Sequence, residues 1–161
     1  MDGRMLAKMF RVSHGALLMN LEGIDHERSL VQPSPAGNCI NWVLAHIIAS
    51  RDQLFGLLGL EPALGEAGKR YRRSSEPVRG AEEALPFADL IGALERSQER
   101  LVSALSEIPD ERLADPFDGA RYPGRPTHVG ELLLFVHFHE TYHVGQVGLL
   151  RRLAGKEGAI R

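Results

Sequence analysis

The segment LLLFVHFHETYHVGQVGLLRRLA, residues 132–154, decides how the rest of this 161-residue chain is interpreted. Residues expected to face the core recur in this segment every three or four positions, the spacing that places side chains on one face of an α-helix. The stripe consists of Leu132, Val136, His139, His143, Val147, Leu150 and Ala154. His139 and His143 therefore lie one turn apart, at two positions where the pattern requires a core residue.

Two imidazoles at that spacing are typical of helical sites for transition metals. A buried imidazole needs either a metal or hydrogen-bond partners, because unsatisfied polar groups are costly to bury. From the residues alone both interpretations stay open: the pair holds a metal ion, or the rings satisfy one another in the core. His137 lies on nearly the opposite face and is not expected to join the same ion, and His128 is expected to be exposed.

The composition indicates an ordinary globular protein, with 43% hydrophobic and 25% charged residues. A net charge of −2 gives no general attraction to nucleic acid or to anionic membranes. No apolar run approaches the ~20 residues that span a bilayer, and charged side chains interrupt the N-terminal stretch where a signal peptide would lie. The lone Cys39 excludes an intramolecular disulfide. We therefore expect one domain, residues 1–161, working in the cytoplasm.

The hydrophobic pattern predicts four long amphipathic helices and no strands. Asn38 and Thr127 are expected as N-caps, and Gly59 and Gly155 as the residues that end helices. Loops are expected at residues 25–37, 60–85 and 109–126, the last with a turn of helix at 110–113. The predicted helices cover residues 4 to about 23, 38–59, about 86–107 and 127 to about 154. Such an arrangement favours an all-α four-helix bundle.

A third metal ligand is expected from another helix, because bundles build metal sites from side chains on facing helices. His46 is the best candidate: it lies on the apolar face of the second predicted helix, one turn after Trp42. Taken alone, such a histidine is more often a hydrogen-bonded core residue. With His139 and His143 it completes three nitrogens, which leave coordination positions open for water or substrate, as in a catalytic site. The ligand set suits Zn²⁺, Ni²⁺ or Fe²⁺ without choosing among them.

Three residues beside the histidines are interpreted from the same helical pattern. Glu140 is interpreted as a surface carboxylate, with orientation of an imidazole or proton transfer as the alternative. Gly145, which weakens a helix, predicts the close approach of another helix. Gln146 either forms a hydrogen bond at the margin of the site or fills a helix crossing.

Two further features lie away from the candidate ligands. The basic run at residues 69–73 is interpreted as a solvated surface loop, with an anion-binding loop over an active site as the alternative. Either Arg151 or this loop, around Arg72, would then hold a substrate carboxylate. His14, at the edge of the first apolar stripe, is expected to be partly buried and hydrogen-bonded to a neighbour.

Two motifs resemble the DinB/YfiT-like superfamily. They are NWVLAH at residues 41–46, which matches N-W-x-x-x-H, and HETYHVGQ at residues 139–146, which matches H-x-x-x-H-x-G-Q. The resemblance covers nearly the whole chain. It implies an up-down-down-up four-helix bundle, metal ligands at His46, His139 and His143, nickel or zinc as the metal, and a homodimer.

The resemblance also suggests an activity. Characterised members include transferases and isomerases that depend on thiols such as bacillithiol or mycothiol, which implies a metal-dependent thiol S-transferase acting on a small-molecule thiol and an electrophile. No partnership with nucleic acid or membrane is expected. Two alternatives remain: a hydrolase that uses metal-activated water, with Glu140 as its base, and a non-catalytic, stress-related metal-binding or interaction protein.

Overall fold

Four long helices dominate the computed structural model, which describes residues 2–33 and 37–160. Within these ranges the chain also forms two short α-helices and one 3₁₀ helix, at Gly65–Tyr71. In chain order the α-helices are α1 (Gly3–Leu21), α2 (His26–Ser29), α3 (Ile40–Leu58), α4 (Phe87–Glu107), α5 (Asp110–Leu113) and α6 (Val129–Leu153). The described ranges hold no strand, only an isolated bridge between Pro116 and His128. The predicted all-α class is therefore confirmed.

The two predicted N-caps are wrong by one residue each. Cys39, not Asn38, precedes α3 and makes no side-chain cap hydrogen bond. His128, not Thr127, caps α6, because its Nδ1 accepts a hydrogen bond from the backbone N–H of Glu131 at 3.3 Å. Thr127 still contributes, since its backbone N–H and hydroxyl both donate to the Glu131 carboxylate. His128 is accordingly half-buried rather than exposed.

Glycines end two of the helices as predicted. Gly59 follows α3 with φ +69°, and Gly155 lies just beyond α6 with φ +78°, both in the left-handed region that favours glycine. The first helix ends at Leu21, before the predicted residue 23, and the predicted turn at 110–113 is confirmed as α5. The loop predicted at 25–37 instead contains α2; its residues 34–36 lie outside the described residues.

The helix directions follow from contacts near the helix ends. A Cβ at Gly3, the first residue of α1, would collide with the carbonyl oxygen of Leu105 near the end of α4, so these two helices are antiparallel. Asn41, at the start of α3, donates to the carbonyl of Leu85 just before α4, so α3 and α4 run in the same direction.

The last helix runs in the direction of the first. Ser13 of α1 donates to Glu140 of α6, and further along both helices Asn20 reaches the carbonyl of Val144. The order is therefore up for α1, down for α3 and α4, and up for α6. This is the up-down-down-up topology that the family resemblance implied.

The bundle core consists of two apolar clusters separated by a polar layer. One cluster fills the half of the bundle around the start of α3, and the other fills the half around its end. Each long helix contributes at least one buried polar residue at the level between them: Ser13, Arg51, Ser97, Gln98 and Glu140. None of the described helices combines the length and the apolar character needed to cross a membrane.

Candidate metal centre

His46 is held in one orientation by contacts from α3 and from the 3₁₀ helix. The ring is buried and stacks on Trp42, one turn earlier, with 4.8 Å between ring centroids and an interplanar angle of 20°. Its Nδ1 lies 2.5 Å from the carbonyl oxygen of Tyr71. Because a carbonyl only accepts, Nδ1 carries the proton and donates, which leaves a lone pair on Nε2.

His143 is oriented in the same way by a residue of its own helix. Its Nδ1 lies 2.9 Å from Oε1 of Gln146, so Nδ1 donates and Nε2 again carries a lone pair. The interpretation of Gln146 as a hydrogen-bonding residue at the margin of the site is therefore confirmed. Hydrogen bonds of this kind, from the far ring nitrogen to a fixed acceptor, are typical of histidines that ligate metals.

The three Nε2 atoms converge between α3 and α6. His139 Nε2 lies 3.2 Å from His46 Nε2 and 3.1 Å from His143 Nε2. Among the described residues these three histidines form a group whose potential ligand atoms all lie within 4.8 Å of one another. The structure thus brings together all three residues that the sequence analysis selected.

A divalent transition metal fits this donor set. Because His46 and His143 carry their protons on Nδ1, the Nε2 atom of each ring presents a lone pair to Nε2 of His139. That nitrogen carries at most one proton, so it can donate to only one of the two. A shared cation satisfies all three nitrogens at once. Nitrogens bound at about 2.1 Å with angles of about 90° to 110° lie about 3.0–3.4 Å apart, which brackets the observed separations. The role of these residues as metal ligands stays a prediction.

The electrostatics of the pocket keep the three rings neutral. Burial is the largest cause that lowers the pKa of His139, to about 4, and the neighbouring His143 and His46 lower it further. Burial likewise lowers the pKa values of His46 and His143, against opposing hydrogen bonds to Tyr71 and Gln146. Neutral imidazole is the form that binds a metal, so the site is in its ligating form at neutral pH.

The interpretation of Glu140 as a surface carboxylate is wrong. Its side chain is only 2% exposed and forms a two-pronged ion pair with the fully buried Arg51, with both N–O distances 2.8 Å. Ser13 donates to the same carboxylate at 2.8 Å, and Ser97 accepts from the guanidinium at 2.9 Å. The signal was in the spacing: Glu140 lies one turn after Val136, which belongs to the predicted stripe, and one turn before Val144, and both valines are buried.

Two other sequence interpretations change, at Gly145 and His14, and the one for His137 does not. Apart from its chain neighbours and the nearby backbone of α6, a Cβ at Gly145 would have no described atom within 4 Å, so the close helix approach predicted there is wrong. Gly148 approaches Asn20 instead. His14 is partly buried, but its Nδ1 has no hydrogen-bond partner among the described residues. His137 packs edge-on against Phe10 at 5.1 Å, away from the metal site as expected.

The basic run lies closer to the site than a plain surface loop would. Tyr71, in the middle of the run, is buried and supplies the carbonyl that holds His46. Arg73 follows it, and its positive charge contributes to lowering the pKa of His139. Arg151, the other residue considered for binding a substrate carboxylate, instead donates to the backbone carbonyls of Asn20, Glu22 and Glu157. Arg151 therefore serves to join the ends of α1 and α6.

Fold and site together define a four-helix bundle with a candidate tri-histidine metal centre between its second and fourth long helices. The model of the DinB superfamily matches residues 9–147, which is most of the chain. The chain belongs to the DinB superfamily.

One solved structure shows how far the fold is shared. The crystal structure of a conserved protein from Enterococcus faecalis superposes with a TM-score of 0.74 at 20% sequence identity. The match covers 97% of this chain and 99% of that one. At this identity the likeness establishes the fold alone. No curated protein matches the chain.

Proposed function

We propose that this protein is a metal-dependent enzyme of the thiol S-transferase type, with one divalent ion, Ni²⁺ or Zn²⁺, held by His46, His139 and His143. The observation that carries the proposal is the convergence of three Nε2 atoms, two of them on rings whose Nδ1 is fixed by a hydrogen bond. Three protein ligands leave coordination positions for a substrate, which distinguishes catalytic from closed structural sites.

When bound, the ion would act as a Lewis acid that lowers the pKa of a coordinated thiol and so supplies a nucleophile at neutral pH. The protein's contribution is to present that ion with a neutral ligand set. Tyr71 and Gln146 hold two rings in the ligating tautomer, and Trp42 covers one face of His46. Because none of the three ligands is charged, the full charge of the ion remains available to stabilise a thiolate.

The proposal is tested with protein purified without a histidine tag and loaded with Ni²⁺ or Zn²⁺. We expect metal-dependent conjugation of a small thiol, such as 2-mercaptoethanol or cysteine, to a general aryl halide electrophile. The His143→Ala variant should lose both the metal and the activity, whereas His137→Ala, on the opposite face of α6, should retain the metal. A loaded protein that gives no conjugation with any thiol would count against the transferase assignment.

The hydrolase alternative is less well supported, because the residue expected to act as its base is engaged elsewhere. Both oxygens of Glu140 accept hydrogen bonds from Arg51, and one also accepts from Ser13. These three hydrogen bonds commit both carboxylate oxygens to the polar layer inside the bundle, so Glu140 is not positioned as a base for water at the metal centre. The same loaded protein, assayed with ester and amide substrates, discriminates between the two activities.

A further inference from the structure

The outer face of α6 carries a continuous stripe of exposed apolar side chains. They recur at steps of four residues on each side of Gly145, and they are between 40% and 67% exposed. The stripe consists of Leu134, Phe138, Tyr142, Leu149 and Leu153. Scattered exposed apolar residues are ordinary, but a row about 30 Å long on one helix face is typical of a surface that another molecule covers.

Gly145, in the middle of the stripe, has no packing reason inside the molecule. Glycine within a helix costs about 1 kcal/mol relative to alanine. The residue is exposed, and apart from its chain neighbours and the nearby backbone of α6 no described atom lies within 4 Å of the place that a Cβ there would occupy. A helix from a second molecule would supply the reason, because a glycine leaves room for a large side chain of that helix.

The stripe matches itself when two copies of α6 run antiparallel. Its midpoint lies between positions 143 and 144, and residues at equal distances from the midpoint then face each other across the two copies. Each facing pair sets an apolar side chain against another, or a large side chain against a small residue. The pairs are Leu134 with Leu153, Phe138 with Leu149, and Tyr142 with Gly145.

The charges at the two ends of the stripe are complementary in the same arrangement. Glu131 lies in the first turn of α6, and Arg152 and Lys156 lie at its other end, where they outnumber Glu157. Glu131 and Lys156 are also at equal distances from the midpoint. Antiparallel pairing brings the acidic end of each copy to the basic end of the other, whereas parallel pairing would bring like charges together. The opposed helix dipoles favour the antiparallel pair as well.

We infer that a second copy of this chain packs on the stripe, with the two α6 helices antiparallel about a two-fold axis. Self-association is the partnership that requires a surface to match itself, because a two-fold axis places residue i on residue j and residue j on residue i. In this dimer the ring of Tyr142 packs over the partner's Gly145. Gly145→Ala should therefore weaken association, whereas in dilute solution, where the copies separate, it changes helix propensity alone. Tyr142 also contacts the ring of His143 edge-on, with 5.3 Å between ring centroids, so the interface borders the candidate metal centre.

Sedimentation equilibrium over a range of micromolar protein concentrations measures the association. A single pair of helices is a small interface, so we expect a dimer with a micromolar dissociation constant. Leu149→Glu buries a charge opposite the partner's Phe138 and should weaken association about ten-fold or more. Leu57→Glu, which changes an exposed leucine of α3, is the matched control and should leave association unchanged. Because both leucines are exposed, circular dichroism should show the helical content of the unmodified protein in each variant.

Phe138→Lys combined with Leu149→Glu tests the antiparallel register. In the antiparallel pair each new lysine faces a new glutamate of the other copy, so the double variant should associate more tightly than either single variant. In a parallel pair lysine would face lysine and glutamate would face glutamate, and the double variant should associate more weakly than both. Within one copy the two positions are too far apart along α6 to pair with each other.

A chain that stays monomeric at every concentration would overturn the inference. Association that Leu149→Glu and Phe138→Lys leave as strong as in the unmodified protein would overturn it too, because the dimer would then use another surface. An equal loss in the Leu57→Glu control would have the same meaning, since it would indicate a general effect of charge. A double variant that associates no more tightly than the single variants would overturn the antiparallel arrangement.

Discussion

Each histidine of the candidate site was selected from its position in a helical repeat, but its orientation depends on residues that the repeat does not reveal. The steps of three and four placed His139 and His143 on one face, and the apolar surroundings of His46 made it the third candidate. The carbonyl that holds His46 belongs to Tyr71, in an irregular stretch where no periodic pattern exists to interpret. Only Gln146, three residues from His143 on the same helix, could be placed near the site in advance.

Removing the charge of Glu140 should strongly destabilise the protein. In Glu140→Gln the guanidinium of Arg51 stays fully buried without a counter-charge, and broken buried ion pairs cost about 3–5 kcal/mol. The free energy of unfolding of the metal-free protein, from denaturant titration, measures the loss. Glu99→Gln, on the exposed face of α4, serves as the control and should change stability by no more than about 0.5 kcal/mol.

A second variant separates the lost pairing from other effects of the mutation. In the double variant Arg51→Met with Glu140→Leu, no unpaired charge remains in the core, and we expect it to be more stable than Glu140→Gln alone. If Glu140→Gln unfolds at the same denaturant concentration as the control, the ion pair does not have the energetic role assigned to it here.

The positions of the long helices were predictable to within one or two residues, whereas one N-cap and the 3₁₀ helix were not. Gly59 and Gly155 marked the ends of α3 and α6 because glycine adopts positive φ without strain. The N-cap of α6 was misplaced because His128 uses a ring nitrogen for a task more often given to threonine or serine. The 3₁₀ helix at Gly65–Tyr71 was missed because short helices of this type lack an amphipathic repeat.

Gly145 provides a test of how α6 packs. Apart from its chain neighbours and the nearby backbone of α6, a Cβ there would meet no described atom within 4 Å. Gly145→Ala should therefore stabilise the protein by about 0.5–1 kcal/mol, the difference in helix propensity. Thermal denaturation measures the change. Gly148→Ala is the paired control, because its new Cβ would lie 3.3 Å from Oδ1 of Asn20 and should give a smaller gain or a loss. A destabilised Gly145→Ala variant would show that another surface packs against this position.

For the whole molecule, the four-helix architecture followed from composition and periodicity, but the polar layer through the middle of the core did not. Arg51 and Glu140 lie on different helices and far apart in sequence, so the sequence does not show that they form an ion pair. Only the assembled bundle shows that every long helix contributes a polar residue at that level. The homodimer implied by the family resemblance stays a prediction.

The stability of the protein should depend on pH through His14, because the charges of Arg51 and Glu140 in the polar layer act on its pKa. Burial, followed by the positive charge of Arg51, lowers the pKa of His14 to about 4, although Glu140 opposes the shift. Because the folded pKa lies below the unfolded value of about 6.5, the folded state favours the neutral ring. This contribution to stability is fully present above about pH 6.5 and is lost as the pH falls toward 4.

Comparison of the unmodified protein with His14→Leu measures that contribution. We expect the free energy of unfolding of the variant to fall less steeply between pH 6.5 and 4 than that of the unmodified protein. A proton NMR titration should also place the His14 ring near pKa 4. Parallel stability curves, together with a ring that titrates near 6.5, would show that burial and the charge of Arg51 do not lower the pKa of His14.

Anomalous X-ray diffraction shows directly whether His46, His139 and His143 share one metal ion. Crystals of tag-free protein, incubated with Ni²⁺ or Zn²⁺, would be measured above and below the absorption edge of that metal. We expect a single anomalous peak between α3 and α6, at about 2.0–2.1 Å from the Nε2 atoms of all three histidines. A site between the helices without anomalous density, or a metal bound only elsewhere on the protein, would contradict it.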